Sequence, residues 1–404
     1  MMRRESAFIQ LDAAVERSDV TILRGLPRVG RSSFLEDWKN RRADAMRCLV
    51  EDVRLEAGIF ILDHVDARAI DQIIGIVRTA EDTKSRTRLV VAPSDLVTAE
   101  RLRTTLPGVV GSVEIAPLRI EELAIEIGQQ QLAAGPVEAA PLTAIPAPAQ
   151  AADPNRHWLR GGFPGSLLAH DDQDSLIWRR GMLDGLLARD YTEWGVERAF
   201  PMGDMFRWLA NQNSAELNEN SCGFAKRQEL KSAVYVLELL GLVRRLPNYP
   251  AGSSASMDRN QKLFVRDTGL LHASLGIETS TQLRANQAIG GSFESYATEA
   301  LILAAGGRCG AQFYRELGDN GEDEIDLILD FPSQKGRLVA IEFKVGPNQK
   351  AKRGFYNGCA ALNIEDRFVV HSGDAADLGE AVHRLDLKSA VARIAGKRGL
   401  RAAL

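Results

Sequence analysis

A turn bearing two glycines lies between a short apolar run and a helical pattern, an order that few folds accommodate. Val20-Thr21-Ile22-Leu23 reads as a buried strand, Gly25-Leu26-Pro27-Arg28-Val29-Gly30 as the turn, and residues 32–42 as the helix. Apolar runs recur at Gly58-Ile59-Phe60-Ile61-Leu62-Asp63 and Arg88-Leu89-Val90-Val91-Ala92, with helical spacing over residues 69–80 between them. Strands that are apolar without interruption and alternate with helices belong to a parallel sheet covered on both faces. Residues 1–130 are therefore expected to form an α/β domain.

The same turn carries the residue types that hold a phosphate. Spaced glycines let backbone N–H groups close on phosphate oxygens, a cation reaches the outer phosphates, and a hydroxyl ligates Mg2+. Gly25 and Gly30 have that spacing, Arg28 and Arg31 supply cations, and Ser32 and Ser33 supply hydroxyls. Arg31 stands where lysine is usual; arginine keeps the charge but is planar and bulkier. Downstream, Asp63 is the expected partner of Mg2+, and His64 takes the place of the carboxylate that would activate water. These residues predict a site for ATP and Mg2+ with weak or no hydrolysis. The plain alternative is a glycine-rich turn that binds nothing.

At 404 residues the chain exceeds one ordinary core, and two or three domains are expected. No apolar run approaches the roughly 18 to 20 residues of a membrane helix. Met1-Met2-Arg3-Arg4-Glu5-Ser6 does not lead into a secretory signal, so a cytoplasmic protein with no membrane partner is expected. Cys48, Cys222, Cys309 and Cys359 lie far apart with no Cys-x-x-Cys pair, which favours reduced thiols over a zinc site. A net charge of −4 exerts no global pull on nucleic acid, so a DNA contact has to come from a local patch. Nothing in the pattern sets the oligomeric state.

Residues 131–156 are rich in Ala and Pro and read as a semi-rigid linker. Residues 157–275 read as a mostly helical domain. In it, Lys226-Arg227-Gln228-Glu229-Leu230-Lys231 opens a helix that Gly241 stops; Leu242-Val243-Arg244-Arg245 and Lys262-Leu263-Phe264-Val265 follow as short strands around a polar loop. That order suggests a winged helix. Lys226, Arg227 and Lys231 could meet DNA phosphates; equally, they could form a solvated helix face.

In residues 276–404 two strands carry charge. Glu324-Ile325-Asp326-Leu327-Ile328-Leu329-Asp330 alternates, and in Leu338-Val339-Ala340-Ile341-Glu342-Phe343-Lys344-Val345 the pair Glu342 and Lys344 shares a face opposite Ile341, Phe343 and Val345. Unpaired charge on a half-buried strand is costly, which points to a use. Asp326 can complete a carboxylate pair with Glu342 as metal ligands, and Glu294 lies on an upstream amphipathic helix, Ser292-Phe293-Glu294-Ser295-Tyr296-Ala297. Carboxylates for a hard cation and a lysine for the attacking water are what Mg2+-dependent phosphodiester cleavage needs, so Glu294, Asp326, Glu342 and Lys344 are the candidate catalytic residues. A surface Glu/Lys ion pair on an edge strand is the bland alternative.

Taken in order, these motifs resemble the prokaryotic AAA-type ATPases that carry a C-terminal domain of unknown function related to PD-(D/E)XK nucleases. The resemblance spans nearly the whole chain and rests on Gly25-Leu26-Pro27-Arg28-Val29-Gly30, Leu62-Asp63, Pro117-Leu118-Arg119, Gly161-Gly162-Phe163-Pro164, Arg189-Asp190-Tyr191, Lys262-Leu263-Phe264-Val265-Arg266-Asp267-Thr268-Gly269-Leu270-Leu271, Phe293-Glu294, Tyr314-Arg315, Ile325-Asp326 and Glu342-x-Lys344. It implies a P-loop domain, a winged-helix middle and a restriction-endonuclease-like end, with nucleotide and DNA as partners. The chain departs from the pattern at Arg31, at His64, at Gly108-Val109 where an arginine is usual, and at the Ala/Pro stretch in place of lid helices. All four departures fall in the nucleotide-binding half.

Overall fold

A computed structural model describes residues 4–106, 110–120, 122–123, 153–192, 195–218, 221–249, 261–306, 309–318, 321–334, 336–373, 377–378 and 382–396. Most of the expected linker (residues 131–152), the Gly108-Val109 pair and loop residues 250–260 lie outside these. The chain divides into two compact units: Met1–Leu118 with Gly128–Ala133, and Arg119–Ile127 with Ala134–Leu404.

The first unit runs α1 (Glu5–Arg17), β1 (Val20–Arg24), α2 (Arg31–Lys39), β2 (Ala45–Arg47), β3 (Gly58–Val65), α3 (Ile70–Asp82), β4 (Thr87–Pro93), α4 (Leu96–Thr105) and β5 (Val110–Glu114). The five strands are parallel in the order β2-β3-β4-β1-β5. Val20 and Ile22 of β1, Phe60 and Leu62 of β3 and Leu89 and Val91 of β4 form one core with Ile70, Ile73, Ile74 and Val77 of α3. The i, i+3, i+4, i+7 spacing of those four residues is what makes α3 a helix with one buried stripe, each large aliphatic contributing about 1.5–3 kcal/mol. Asp95 starts α4 by accepting the Thr98 N–H at 2.8 Å. Helix α1 was not foreseen from the sequence.

The second unit contains α5 (Pro154–Arg160), α6 (Pro164–Leu167), α7 (Asp172–Leu187), α8 (Met202–Asn211) and α9 (Arg227–Leu239), then β6 (Val243–Pro247), β7 (Gln261–Val265), α10 (Thr268–Leu275), α11 (Ser280–Ala285) and α12 (Ile289–Ala305). It ends with β8 (Gly310–Gly318), β9 (Gly321–Phe331), β10 (Arg337–Lys344), α13 (Arg353–Ala361), β11 (Asp366–His371), β12 (Asp377–Leu378), β13 (His383–Asp386) and α14 (Leu387–Gly396). Helix α5 thus begins inside the stretch read as linker. Gly241, at φ 73°, closes α9, and Leu242 N–H returns to Leu237 O at 2.9 Å, a left-handed turn that favours glycine.

Strands β8 to β13 form a mixed sheet ordered β12-β13-β11-β10-β9-β8. β9 is antiparallel to β8 and β10, while β11 is parallel to β10 across the α13 connection. One face, through Leu327, Leu329, Val339, Ile341 and Phe343, packs on Trp158, Phe293 and Tyr296; the other, through Ile325, Ile328 and Ala340, packs on Phe355 and Cys359 of α13. Strands β6 and β7 form an antiparallel hairpin bonded to the sheet's edge: Asn248 bridges Phe313, and Asn248 Oδ1 accepts the Arg315 N–H at 3.1 Å. Among the described residues no helix is long and apolar enough to cross a membrane, and all four cysteines are free.

Candidate functional site

The four residues singled out in the last region come together. Glu294 on α12, Asp326 on β9 and Glu342 and Lys344 on β10 line one cavity of about 780 Å³, with Lys262, Arg315, Glu324 and Lys352. Local backbone explains why Asp326 is there. In the β8–β9 pairing Gln312 faces Ile328 but Tyr314 faces Ile325, so β9 carries an extra residue across Asp326-Leu327. Such a bulge re-aims a side chain and breaks strand alternation; Ile325 and Leu327 accordingly lie in different cores. On the other side the β9–β10 ladder is paired as far as Ile341 opposite Leu327. Beyond it Asp326 Oδ2 accepts the Phe343 N–H at 2.8 Å, a side chain doing the work of a backbone carbonyl.

Charge is concentrated and enclosed here. Lys344 Nζ donates to Glu342 Oε1, and Glu342 is only 4% exposed. Lys262, 2% exposed, reaches from β7 to Glu324 at 2.8 Å, Glu294 at 3.3 Å and Asp326 at 3.9 Å. Its ammonium also stands 5.3 Å from the Phe313 ring centre. Arg315 ties Glu324 to Glu216 and Glu322. Burial raises the Glu294 carboxyl to about 8, and burial together with Asp326 raises that of Glu342 to about 7. Burial opposes the Lys262 ammonium, but Glu294, Asp326 and Glu324 outweigh it and hold its pKa above that of an ordinary lysine.

An all-oxygen donor set with a lysine at its edge fits a hard divalent cation such as Mg2+. Asp326 and Glu342 are the residues that could hold one. Glu294 is drawn instead to Lys262. Among the described residues a group of three metal-ligating side chains with all ligand atoms within 4.8 Å occurs at exposed His170, Asp171 and Asp174, and not among Glu294, Asp326 and Glu342. The sequence did not single out Lys262, Glu324 or Arg315 as site residues. Gln261-Lys262-Leu263 looks like any strand with an outward lysine; the carboxylates that enclose it come from other elements.

In the first unit the glycine loop joins β1 to α2 as foreseen, at the carboxyl end of the sheet where open α/β folds bind ligands. A Cβ on Gly25 would lie 2.7 Å from Ile115 O, and Gly30 caps α2 at φ 92°. Arg28 also takes a positive φ, 63°. The side chains at the loop are held by neighbours. Arg31 Nη1 donates to Pro93 O at 2.7 Å, and burial lowers its pKa. Ser32 Oγ lies 3.3 Å from His64 Nε2, and Asp63 Oδ2 accepts from Arg47 Nη2 at 2.6 Å. Ser33 follows in the first turn of α2, and Arg4 Nη2 donates to Val29 O at 2.8 Å. Cation, hydroxyl and carboxylate are thus gathered where a nucleotide would need them, but each has a protein partner.

Residues 152–281 match a family described as a domain of unknown function (DUF8612). That segment contains Lys262 and ends before Glu294. The chain is 27% identical over 420 residues to the uncharacterized proteins Rv2008c of Mycobacterium tuberculosis and Mb2031c of Mycobacterium bovis, covering 98% of this chain and 84% of each relative. Among solved structures, it is similar to the Walker-type ATPase PABY2304 of Pyrococcus abyssi (14% identity, TM-score 0.45, 68% of this chain and 96% of that one). It is also similar to the Aeropyrum pernix ORC1 protein in complex with DNA (11% identity, TM-score 0.26, 68% of this chain and 93% of that one).

Proposed function

We propose that residues 276–404 form a restriction-endonuclease-like domain that cleaves DNA with Mg2+. The observation that carries this reading is the convergence of Asp326, Glu342 and Lys344 on one cavity, with Asp326 re-aimed by a bulge. Mg2+, when bound, supplies a Lewis acid for a phosphoryl oxygen and a more acidic water. Asp326 and Glu342 hold it. Lys344, fixed against Glu342, stands where the attacking water and the reacting phosphate meet, so it orients the one and offsets charge on the other. Glu294 anchors Lys262 at the rear. The basic stretch beside the cavity favours a polyanion: Lys352 lines it, and Lys350 and Arg353 next to it are exposed, suited to backbone phosphates. The helical middle, residues 157–275, with helix α9 and the β6–β7 hairpin, is read as winged-helix-like; Lys226, Arg227 and Lys231 are exposed on it.

Incubating the full chain with labelled duplex DNA tests this. We expect cleavage with Mg2+ that disappears with chelator and falls at least about 100-fold in Lys344→Ala. Equal cleavage by the variant, or none by either, overturns the reading.

A second reading concerns residues 1–130, favoured by the strand, loop and helix that hold Gly25, Gly30, Arg31 and Ser32 together. It is a nucleotide site that binds ATP and turns it over weakly or not at all. Arg31 bonded to Pro93 O and Asp63 bonded to Arg47 are the reasons: neither the phosphate cation nor the Mg2+ partner is free to act as in a fast ATPase. Calorimetry is expected to show ATP binding that weakens about tenfold or more in Arg31→Ala. No heat of binding by the wild type contradicts it.

A further inference from the structure

We infer that Lys262 is a built-in cation of the metal centre, taking the place of a second metal ion, so that the site accepts one divalent cation between Asp326 and Glu342. This rests on the metal-site reading above and deepens it. An ammonium has three N–H donors and no acceptor. Lys262 directs them among Glu324 at 2.8 Å, Glu294 at 3.3 Å and Asp326 at 3.9 Å, at 2% exposure. Enclosing a charge that deeply is tolerated only when its partners surround it.

The geometry separates two halves of the cluster. On the Lys262 side, Glu294 and Glu324 are committed to the ammonium, and Glu324 is shared with Arg315 at 2.8 Å. On the other side, Asp326 and Glu342 adjoin across the strands, and Lys344 stands against Glu342. Glu294, Asp326 and Glu342 do not close to within 4.8 Å of one another, as a shared three-carboxylate ion site would require. With Glu294 and Glu324 taken up by Lys262 and Arg315, one carboxylate pair, Asp326 with Glu342, remains for one divalent ion. Lys262 is therefore a positioning residue: it fixes Glu294, Glu324 and one side of Asp326.

The hairpin makes this possible. Lys262 lies opposite Leu246 in the β6–β7 pairing and bridges Glu216, and the hairpin is bonded to β8 through Asn248 and Phe313. A segment distant in sequence from the Asp and Glu-x-Lys strands thus completes their charge balance.

Counting Mn2+ bound per full-length chain, by electron paramagnetic resonance of the free ion, tests the inference. Wild type is expected to bind one Mn2+, lost in Glu342→Ala. Lys262→Gln releases Glu294 and one side of Asp326, leaves Glu324 on Arg315, and is expected to bind two; Lys262→Arg, which keeps the charge, is expected to return to one. Should Lys262→Gln not fold, wild type at saturating Mn2+ serves: the bound ion is expected to give the spectrum of an isolated Mn2+, without the exchange coupling of a pair. Two ions on wild type, one ion on Lys262→Gln with unchanged affinity, or an exchange-coupled Mn2+ pair on wild type overturns the role of Lys262 while leaving a metal centre. No Mn2+ on wild type overturns the metal-site reading itself, and the inference with it.

Discussion

His272 shows how tightly a buried polar side chain is matched donor to acceptor. Trp158 Nε1 donates to Ser292 Oγ at 2.9 Å, the Ser292 hydroxyl lies 2.7 Å from His272 Nε2, and His272 Nδ1 lies 2.9 Å from Leu159 O. Because Leu159 O can only accept, the ring carries its proton on Nδ1 and receives one from Ser292 at Nε2. A second ring proton would meet the Ser292 donor, and burial lowers the His272 pKa to about 4. The folded ring is therefore neutral where the unfolded one binds a proton. This linkage is silent above pH 6.5, and stability falls as pH drops from 6.5 towards 4, by about 3 kcal/mol in all. Thermal melts across that range are expected to show the decline and His272→Gln a flatter profile; parallel profiles contradict the assignment.

At the scale of elements, the hairpin and α12 act together. Arg244 of β6 and Arg266 just after β7 both bond Glu299 of α12, at 2.8 Å through each Nε. Burial alone would raise the Glu299 carboxyl, but the two guanidinium groups outweigh it and bring it to about 2. One turn and a half before Glu299 on the same helix is Glu294, the partner of Lys262. Removing the Glu299 charge leaves two arginines without their acid, so Glu299→Gln is expected to cost about 3–5 kcal/mol, read by denaturant unfolding. An unchanged midpoint would show that the clamp does not hold the hairpin to α12. How far the sequence reveals these elements depends on the range of the contact involved. Glu342 and Lys344 on one face follow from strand periodicity, which is local. The bulge at Asp326 depends on how β8 pairs with β9, and Lys262 looks solvent-facing until Glu294 and Glu324 are brought around it.

At the scale of the molecule, the two halves stand differently. The parallel sheet was legible in alternating strands and helices, because each apolar run needs cover on both faces, whereas the order β2-β3-β4-β1-β5 was not. Its loop residues, however, are bonded inward: Arg31 to Pro93, Asp63 to Arg47. The second unit keeps its carboxylates and Lys344 around an open cavity. If Asp326 and Glu342 hold a divalent cation, anomalous scattering from a crystal grown with Mn2+ will locate it. The predicted result is a single peak between Asp326 and Glu342 with Lys262 still bonded to Glu294 and Glu324. A peak among Glu294 and Glu324 with Lys262 displaced, or no peak at Asp326 and Glu342, would contradict it.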